Sequence, residues 1–468
     1  MKNKKITRRH TRNAKVLVAI CLVVLVLPAC KKYLDASPDK QLTTPNTMQD
    51  LRSLLDYNDL MNGNYSCYGA IASDDYYIPY TSYNSLSDVV AKNNYVWGLI
   101  SETTGEYSDW LLNYKRIFQV NVVLDNFKRV KNNGATPDEM NSIRGEALFY
   151  RGLTVFTLSQ IYALPYNPST AMTTPGIPYR LTADINEKIR RSTLEDNYDK
   201  ITNDLMNAAQ LLPSNSTSLL RPDRQAAWAA LANVYLVMEQ YDKAESCADS
   251  CLHLQDDLID YNTISLAAST PFELFNKEVI WQADLAYNTV LATTRSKIDT
   301  TFYQSFDDSD LRKNIYFQKT GNNPAVFKGH YNGKWQGTSV YFAGFATDEV
   351  YLIKSECQAR LGDVTGAMLT LNKLLANRYS KAGFTPFSTT LQQQALDIIL
   401  EQRRKELCFR GSLRWMDIRR LNQYENSKIT IHREIDGKIY SLRPGDLHFA
   451  FLIPQNSVDN SHLEQNQR

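Results

Sequence analysis

From about residue 108 onward the apolar positions recur every three or four residues, the spacing that puts them on one face of a helix. Trp110, Tyr114, Ile117, Asn121 and Leu124 trace one such stripe; Leu148, Leu153, Phe156 and Ile161 trace another. Ser192-Thr193 followed by Glu195 and Asp196 predicts an N-cap with acids in the first turn. That helix carries Tyr198, Ile201, Leu205, Ala208 and Leu212 and stops at Pro213. Pro222 then opens a helix at Asp223 that carries Ala226, Trp228, Leu231, Ala232 and Tyr235, and its partner spans roughly Tyr241 to Leu254.

The last two elements read as a tetratricopeptide-type hairpin, with Trp228, Leu231-Ala232 and Tyr235 on one helix and Tyr241, Ala244 and Ala248 on the other. Antiparallel helices approach closely only where small residues meet, and here Ala232 and Ala244 are placed to do so. A second hairpin, from Asp348 to Asn377, repeats the offset with Ser355 and Ala367 around a Gly362-Asp363 turn. No adjacent copies flank either pair, so the hairpins are expected to be interleaved with other structure rather than stacked in a contiguous solenoid. Trp228 is expected to fill the gap between its two helices.

Two stretches break the helical period. Residues 61–103 hold Tyr65, Tyr68, Tyr76, Tyr77, Tyr80, Tyr83, Tyr95 and Trp97 among Gly, Asn and Ser. Residues 262–346 hold Trp281, Tyr287, Tyr303, Tyr316, Tyr331 and Trp335. Long loops in a folded chain are usually functional. Near the C-terminus, alternation from Lys428 to Leu442 around Asp436-Gly437 predicts a β-hairpin.

Composition sharpens this picture. The chain has 28 Tyr, beside 17 Phe and 6 Trp, and Tyr suits surfaces that are half wet. Its 52 Lys+Arg nearly balance 50 Asp+Glu, but seven cations and no acid lie before residue 30, so the +2 of the whole leaves −5 for the rest. An acidic body argues against nucleic acid and against charge-driven lipid binding. The basic stretch to Lys15 precedes twelve apolar residues, Val16 to Leu27. That run is short of the ~20 needed to span a bilayer and reads as a secretory signal over residues 1–29. Leu27-Pro28-Ala29-Cys30 resembles a bacterial lipobox, with Pro28 a mild departure, which makes Cys30 the expected lipidation point. More than one acyl chain gives stable anchoring. Five further cysteines follow (Cys67, Cys247, Cys251, Cys357, Cys408), too few and too odd in number for a disulfide scaffold.

Catalytic signatures are missing: there is no HExxH, GxSxG, Walker loop or GxGxxG. His residues are dispersed and show no ligand spacing, so no metal site or cofactor is expected, and no enzyme. Arg403 lies on the buried stripe Leu396, Ile399, Leu400, Leu407, and Glu406, Asp417 or Glu356 is expected to pair it structurally. The functional candidates are the loop aromatics. Sugar rings stack their C–H faces on Trp or Tyr while Asp, Asn or Arg bond the hydroxyls. Asp75, Tyr76, Tyr77, Trp97, Trp281, Tyr287 and Trp335 make up the expected ligand-binding set, with Trp97 and Trp335 as exposed platforms.

Taken together, these motifs resemble the SusD/RagB family of nutrient-binding outer-membrane lipoproteins. Cys30 to Asp35 with Pro38 resembles its opening; Trp110 to Leu124 and Arg144 to Tyr162 resemble its first helices. Tyr198, Asp204-Leu205, Ala208 and Leu211-Leu212-Pro213 match a further family segment, as do Glu349 to Ile353 with Glu356. Arg403-Arg404-Lys405-Glu406-Leu407, Phe409, Gly411, Arg414-Trp415 and Asp417 follow, then Phe451 to Pro454 and Gln465-Asn466. Gln402 and Arg410 depart from the commonest pattern and leave the ligand open. The resemblance implies an all-α fold of helical-repeat hairpins over residues 30–468, with an N-terminal helical part (30–260), a loop-rich insertion (261–346) and a C-terminal helical repeat (347–468). It also implies capture of an oligomeric nutrient, most commonly a glycan, for a SusC-like TonB-dependent transporter. A peptide ligand, as in the RagB branch, and a helical-repeat adaptor that binds no ligand are the alternatives. Cys30→Ala is expected to release the protein from the outer membrane in high salt with its fold intact; tight fractionation of the variant with membrane would show that something other than lipid anchors it.

Overall fold

The computed structural model describes residues 44–102, 108–319, 321–333 and 340–468. Cys30 and the signal segment therefore lie outside the described residues. Helices carry the architecture: α1 (Met48–Leu55), α2 (Tyr80–Asn84), α3 (Val89–Tyr95), α4 (Asp109–Asn126), α5 (Pro137–Tyr162), α6 (Leu194–Leu211), α7 (Arg224–Val237), α8 (Tyr241–Leu254), α9 (Thr347–Arg360), α10 (Val364–Leu375), α11 (Gln392–Glu406) and α12 (Leu413–Leu421). Further helices of one or two turns sit at Asn58–Met61, Tyr68–Ala72, Thr300–Gln304, Arg312–Tyr316 and Gln455–Ser461. The fold is all-α with small β-ladders, as the resemblance implies.

Local chemistry sets the helix starts. Thr136 and Glu139 form a capping box ahead of Pro137 at the head of α5, where the fixed φ of Pro suits the first turn. Thr193 accepts from the Asp196 N–H to start α6, and Asp223 accepts from the Ala226 N–H to start α7. Both expected hairpins form. Ala232 and Ala244 are fully buried where α7 meets α8, and the Ser355 hydroxyl donates to the Ala367 carbonyl at 2.8 Å where α9 meets α10.

Two expectations are corrected. The hairpins are adjacent in space: α8 packs on α9, although residues 255–346 lie between them in sequence, so the helices from α4 to α11 form one layered stack. Trp228 does not plug its hairpin. The two alanines close that gap, and the half-buried indole lines an open groove of 950 Å³ with Asp249, Tyr351, Lys354 and Lys373.

The aperiodic stretches also hold more structure than expected. Residues 61–102 contain several single-turn and two-turn helices, too short to show a 3.6 period. The insertion is organised by two-stranded antiparallel ladders: β1 (Tyr76–Tyr77) with β3 (Lys297–Ile298), β2 (Val279–Trp281) with β6 (Phe345–Ala346), and β4 (Phe317–Gln318) with β5 (Val326–Phe327). Strands β7 (Ile431–Ile435) and β8 (Lys438–Leu442) make the expected hairpin, with Ile435 opposite Lys438. Its two turn residues, Asp436 and Gly437, have φ of 51° and 74°, the left-handed pair that a tight hairpin turn needs.

Beneath the insertion lies a buried lattice of charge. Arg312 bonds Asp310 at 2.7 Å and Glu406 at 3.0 Å; Arg378 bonds Glu406 at 2.6 Å and Glu278 at 2.9 Å; Arg410 bonds Asp348 at 2.8 Å. The Tyr331 hydroxyl donates to Glu278. Arg403 pairs with Asp417 at 2.9 Å, while Glu356 is taken by Arg420 at 2.6 Å and Arg360 at 2.8 Å. Of the three partners expected for Arg403, Asp417 is the one that bonds it.

Around Arg312, Arg378 and Arg410 four carboxylates face three guanidiniums, so one carboxyl is best kept protonated. Burial pushes Asp348 up from 3.8 to about 7; Arg410 opposes this, but Glu278 and Glu406 add to it. A raised acid means that folding takes up a proton between these values, so this group's stabilising contribution is present below pH 3.8 and is lost as pH climbs through about 7. Asp348→Asn should therefore melt like wild type near pH 4 and gain on it steadily toward neutral pH. A difference in melting temperature that stays flat with pH would show that Asp348 ionises freely.

Candidate ligand-binding site

Three segments distant in sequence meet at one side of the fold. Strand β1 and helices α2 and α3 come from the first aperiodic stretch, residues 287–298 from the insertion, and the β7–β8 hairpin from the C-terminal part. Tyr76 pairs with Ile298 and Tyr77 with Lys297 across β1–β3. Arg295 donates to the Ser82 carbonyl at 3.2 Å and to the Ser85 hydroxyl at 2.8 Å, and the Asn288 amide reaches Asp88 at 3.5 Å. From the hairpin, Arg433 donates to the carbonyls of Tyr76 and Ser73 and sits 4.4 Å from the centre of the Tyr95 ring. These bonds fix the backbone on which the outer side chains stand.

The expected site residues divide sharply by burial. Trp97 is 3% exposed. Its backbone is left-handed at φ 55°, its indole N–H donates to the Ala72 carbonyl at 3.2 Å, and Arg433 covers the ring. Trp281 is fully buried among Phe149, Tyr65, Tyr150 and Phe345. Tyr76 is buried against Tyr95 and Phe409 with its hydroxyl on the Ile71 carbonyl. These three rings offer no face to a ligand: their aromatic area ties the aperiodic segments to the helices, and the polar edge of Trp97 and Tyr76 is satisfied internally. Asp75 is buried as well, and burial lifts its carboxyl to about 6 against the pull of Arg404. Neighbouring Asp74 would also rise on burial, but Arg414, at 2.6 and 2.8 Å, and Arg404 outweigh that and hold it well below the usual carboxylate range. Trp335 lies outside the described residues.

What remains open to solvent is a face of tyrosines. Tyr287 is 59% exposed and Tyr80 45%, while Tyr77, Tyr83 and Tyr440 are half-buried. Lys92 stands 4.8 Å from the centre of the Tyr83 ring and Lys438 4.5 Å from that of Tyr440. Burial raises the Tyr83 phenol, and Tyr440 and Tyr95 add to the shift. Exposed Asn84 and Asp88 complete the surface. Such rings can stack on pyranose C–H faces, and the flanking amide, carboxylate and cations can bond hydroxyls. Among the described residues no group of three or more His, Cys, Asp or Glu is placed to hold a metal ion.

Of the expected set, Tyr77 and Tyr287 keep their rings open to solvent on these segments. Tyr80, Tyr83 and Tyr440 were not singled out. Their signal was faint but present: Tyr80 and Tyr83 are one helical turn apart, and Tyr440 sits beside a hairpin turn.

A family model described as starch-binding and associating with the outer membrane matches residues 32–236. A second, described as the SusD family, matches residues 303–447, and the two together cover about three-quarters of the chain. The chain belongs to the SusD/RagB family. Solved SusD-superfamily structures share its architecture. A putative sugar binding protein from Bacteroides vulgatus superposes with a TM-score of 0.74 at 21% identity, over 91% of this chain and 99% of that one. A SusD superfamily protein from Bacteroides thetaiotaomicron gives 0.70 at 22%, over 90% and 100%. No curated protein matches the sequence.

Truncation separates plug from platform. Trp97→Ala should cost roughly 3–5 kcal/mol in urea unfolding, as core aromatics do. Tyr287→Ala should stay within about 0.5 kcal/mol of wild type. Equal losses at the two positions would contradict this division.

Proposed function

We propose that this chain is a lipid-anchored cell-surface protein that captures an oligomeric glycan on the tyrosine face and hands it to a SusC-like TonB-dependent transporter. The observation that carries this reading is the set of exposed and half-exposed phenol rings held on a backbone cross-braced from three segments. A soluble protein gains nothing by displaying so many rings on one rigid surface unless something covers them. The lipobox at Cys30 supports attachment to the membrane, and membership of a family described as starch-binding and associating with the outer membrane supports both the ligand class and the location. Long Arg-braced segments suit binding of an extended oligomer, because the surface is pre-organised and loses little freedom on contact.

The reading makes no use of catalysis. Asp75 is buried and Asp74 half-buried against arginines, and Asp88, on the face itself, caps α3 by accepting from the Ala91 N–H at 2.9 Å.

A glycan array and a peptide library probed with the full-length protein test the proposal. Binding on the glycan array is the expected result. Tyr287→Ala and Tyr440→Ala should each weaken the hit by about 1 kcal/mol, roughly fivefold in Kd, for loss of one stacking ring. Hits confined to peptides would move the ligand class to that of the RagB branch, and a blank on both would leave the adaptor reading.

A further inference from the structure

Just past β2, polar side chains gather in the interior around one carboxylate. Asn62, Gln282, Asp284 and Asn332 are each at most 4% exposed. Gln282 and Asp284 are two residues apart on an extended segment, which puts them on the same face. Asn62 holds that segment from one side, its carbonyl accepting from the Asp284 N–H at 2.8 Å, and Phe342 bridges to Asp284 from the other. The Gln282 amide donates to Asp284 Oδ1 at 3.0 Å, and the Asn332 amide donates to the same oxygen at 3.2 Å. Asn332 also donates to the Val340 carbonyl at 2.9 Å, and the Asn62 amide donates to the carbonyls of Leu220 and Gln282 at 2.8 and 2.7 Å.

These bonds fix which way each amide faces. A turned amide would set oxygen against oxygen, so the nitrogens take the donor side and the oxygens are left over. Asn62 Oδ1, Gln282 Oε1 and Asn332 Oδ1 are all buried and meet no donor among the described residues. Both amides that reach Asp284 bond Oδ1, and no described residue donates to Oδ2 or pairs the carboxylate with a positive charge. Buried polar atoms seldom stay unpartnered, and a buried carboxylate without a counter-charge is costly. A proton on Asp284 would serve one of the four oxygens, and a single water could donate to two. A hard cation bonds several oxygens at once, and amide carbonyls with a carboxylate are a donor set that Ca²⁺ accepts. Acids and imidazoles do not gather in threes among the described residues. This constellation is built on amides instead.

We infer that Gln282, Asp284 and Asn332, with Asn62 beside them, form an interior site for a hard cation such as Ca²⁺. Its work is structural. Asn62 belongs to the first aperiodic stretch, Gln282 and Asp284 continue β2, and Asn332 comes from later in the insertion, so one ion cross-links three pieces of irregular chain. The segment leaving Asp284 runs on to Tyr287 and β3, and the ion would therefore stiffen the backbone that carries part of the tyrosine face. The inference holds whatever ligand that face takes.

The test uses the full-length protein in detergent, stripped with EDTA and exchanged into choline chloride, then titrated with CaCl₂ or NaCl at constant ionic strength. Melting temperature is one readout; the other is emission from Tb³⁺, a Ca²⁺ stand-in sensitised by nearby aromatic rings. One carboxylate among neutral oxygens suits a Ca²⁺ dissociation constant of about 10⁻⁴–10⁻³ M. At about 10 mM Ca²⁺ the melting temperature should rise by a few degrees, and Ca²⁺ should displace one Tb³⁺ per chain. Asp284→Asn keeps the shape and the Oδ1 acceptor but removes the charge; it should weaken Tb³⁺ binding at least about tenfold and erase most of the Ca²⁺ shift. Gln282→Glu adds a second carboxylate and should bind Ca²⁺ several-fold more tightly than wild type. That gain cannot come from a failure to fold. Stabilisation by NaCl and not CaCl₂, lost in Asp284→Asn, would name a monovalent ion as the occupant of the same site. A melting temperature and Tb³⁺ emission that respond to none of these ions would overturn the inference and leave the oxygens to buried water. Binding unmoved by Asp284→Asn would overturn it too, by placing the ion elsewhere.

Discussion

Glu406 holds two arginines at once, and that arrangement ties the insertion to the helical stack. Its carboxylate sits at the end of α11, while Arg312 belongs to the insertion and Arg378 to the end of the second hairpin. Arg378 then reaches Glu278, beside β2. Four chain regions are thus bound by groups that have no water to fall back on. A buried ion pair of this kind adds little over a well-packed apolar pair, yet breaking it by removing one member costs roughly 3–5 kcal/mol because a bare charge is left inside. Such a lattice works as a register device: geometry satisfies every charge only when insertion and helices sit in one relation. The aromatic rings around it, Tyr261, Tyr316 and Tyr331, close it off from solvent.

The same logic extends outward to the binding face. Arg404 and Arg414 bring Asp74, at the start of β1, onto α11 and α12. Arg433 brings the β-hairpin onto β1 and the Trp97 turn. A surface assembled from three remote segments would be soft if it relied on short ladders alone, since each two-residue strand pair contributes few hydrogen bonds. The arginine contacts supply the missing rigidity because each guanidinium can bond several carbonyls or carboxylate oxygens in one plane.

The helical part was legible because its signals are local. Capping residues, Pro213 and Pro222, and the Ala232/Ala244 and Ser355/Ala367 offsets all report on neighbours close in sequence, twelve residues away at most. So was the burial of Arg403, since its place on an apolar stripe requires a partner. Which carboxylate would take it was not legible, because Asp417, Glu406 and Glu356 are all within reach in sequence and only the tertiary arrangement assigns Glu406 to Arg312 and Arg378 and Glu356 to Arg420 and Arg360. The aperiodic segments were the least readable. Asn and Gly around Trp97 suggest exposure, but a composition suited to turns is equally suited to a turn that tucks an indole inward, as its left-handed backbone does.

That outcome has a general physical reason. Trp has one donor and the largest apolar area, so a single carbonyl satisfies it in the core; Ala72 does this for Trp97 and Gln160 for Trp415. Tyr carries its polar atom at the far tip, where it can stay in water while one ring face remains free. Among the described residues Trp97, Trp110, Trp281 and Trp415 are buried and Trp228 keeps an open face, while the phenols divide: Tyr76, Tyr95 and a dozen others are buried, and Tyr77, Tyr80, Tyr83, Tyr287 and Tyr440 stay in contact with solvent. A search for platforms that ranks rings by size therefore selects the plugs. Ranking them by whether the polar tip can stay hydrated selects Tyr80, Tyr287 and their neighbours.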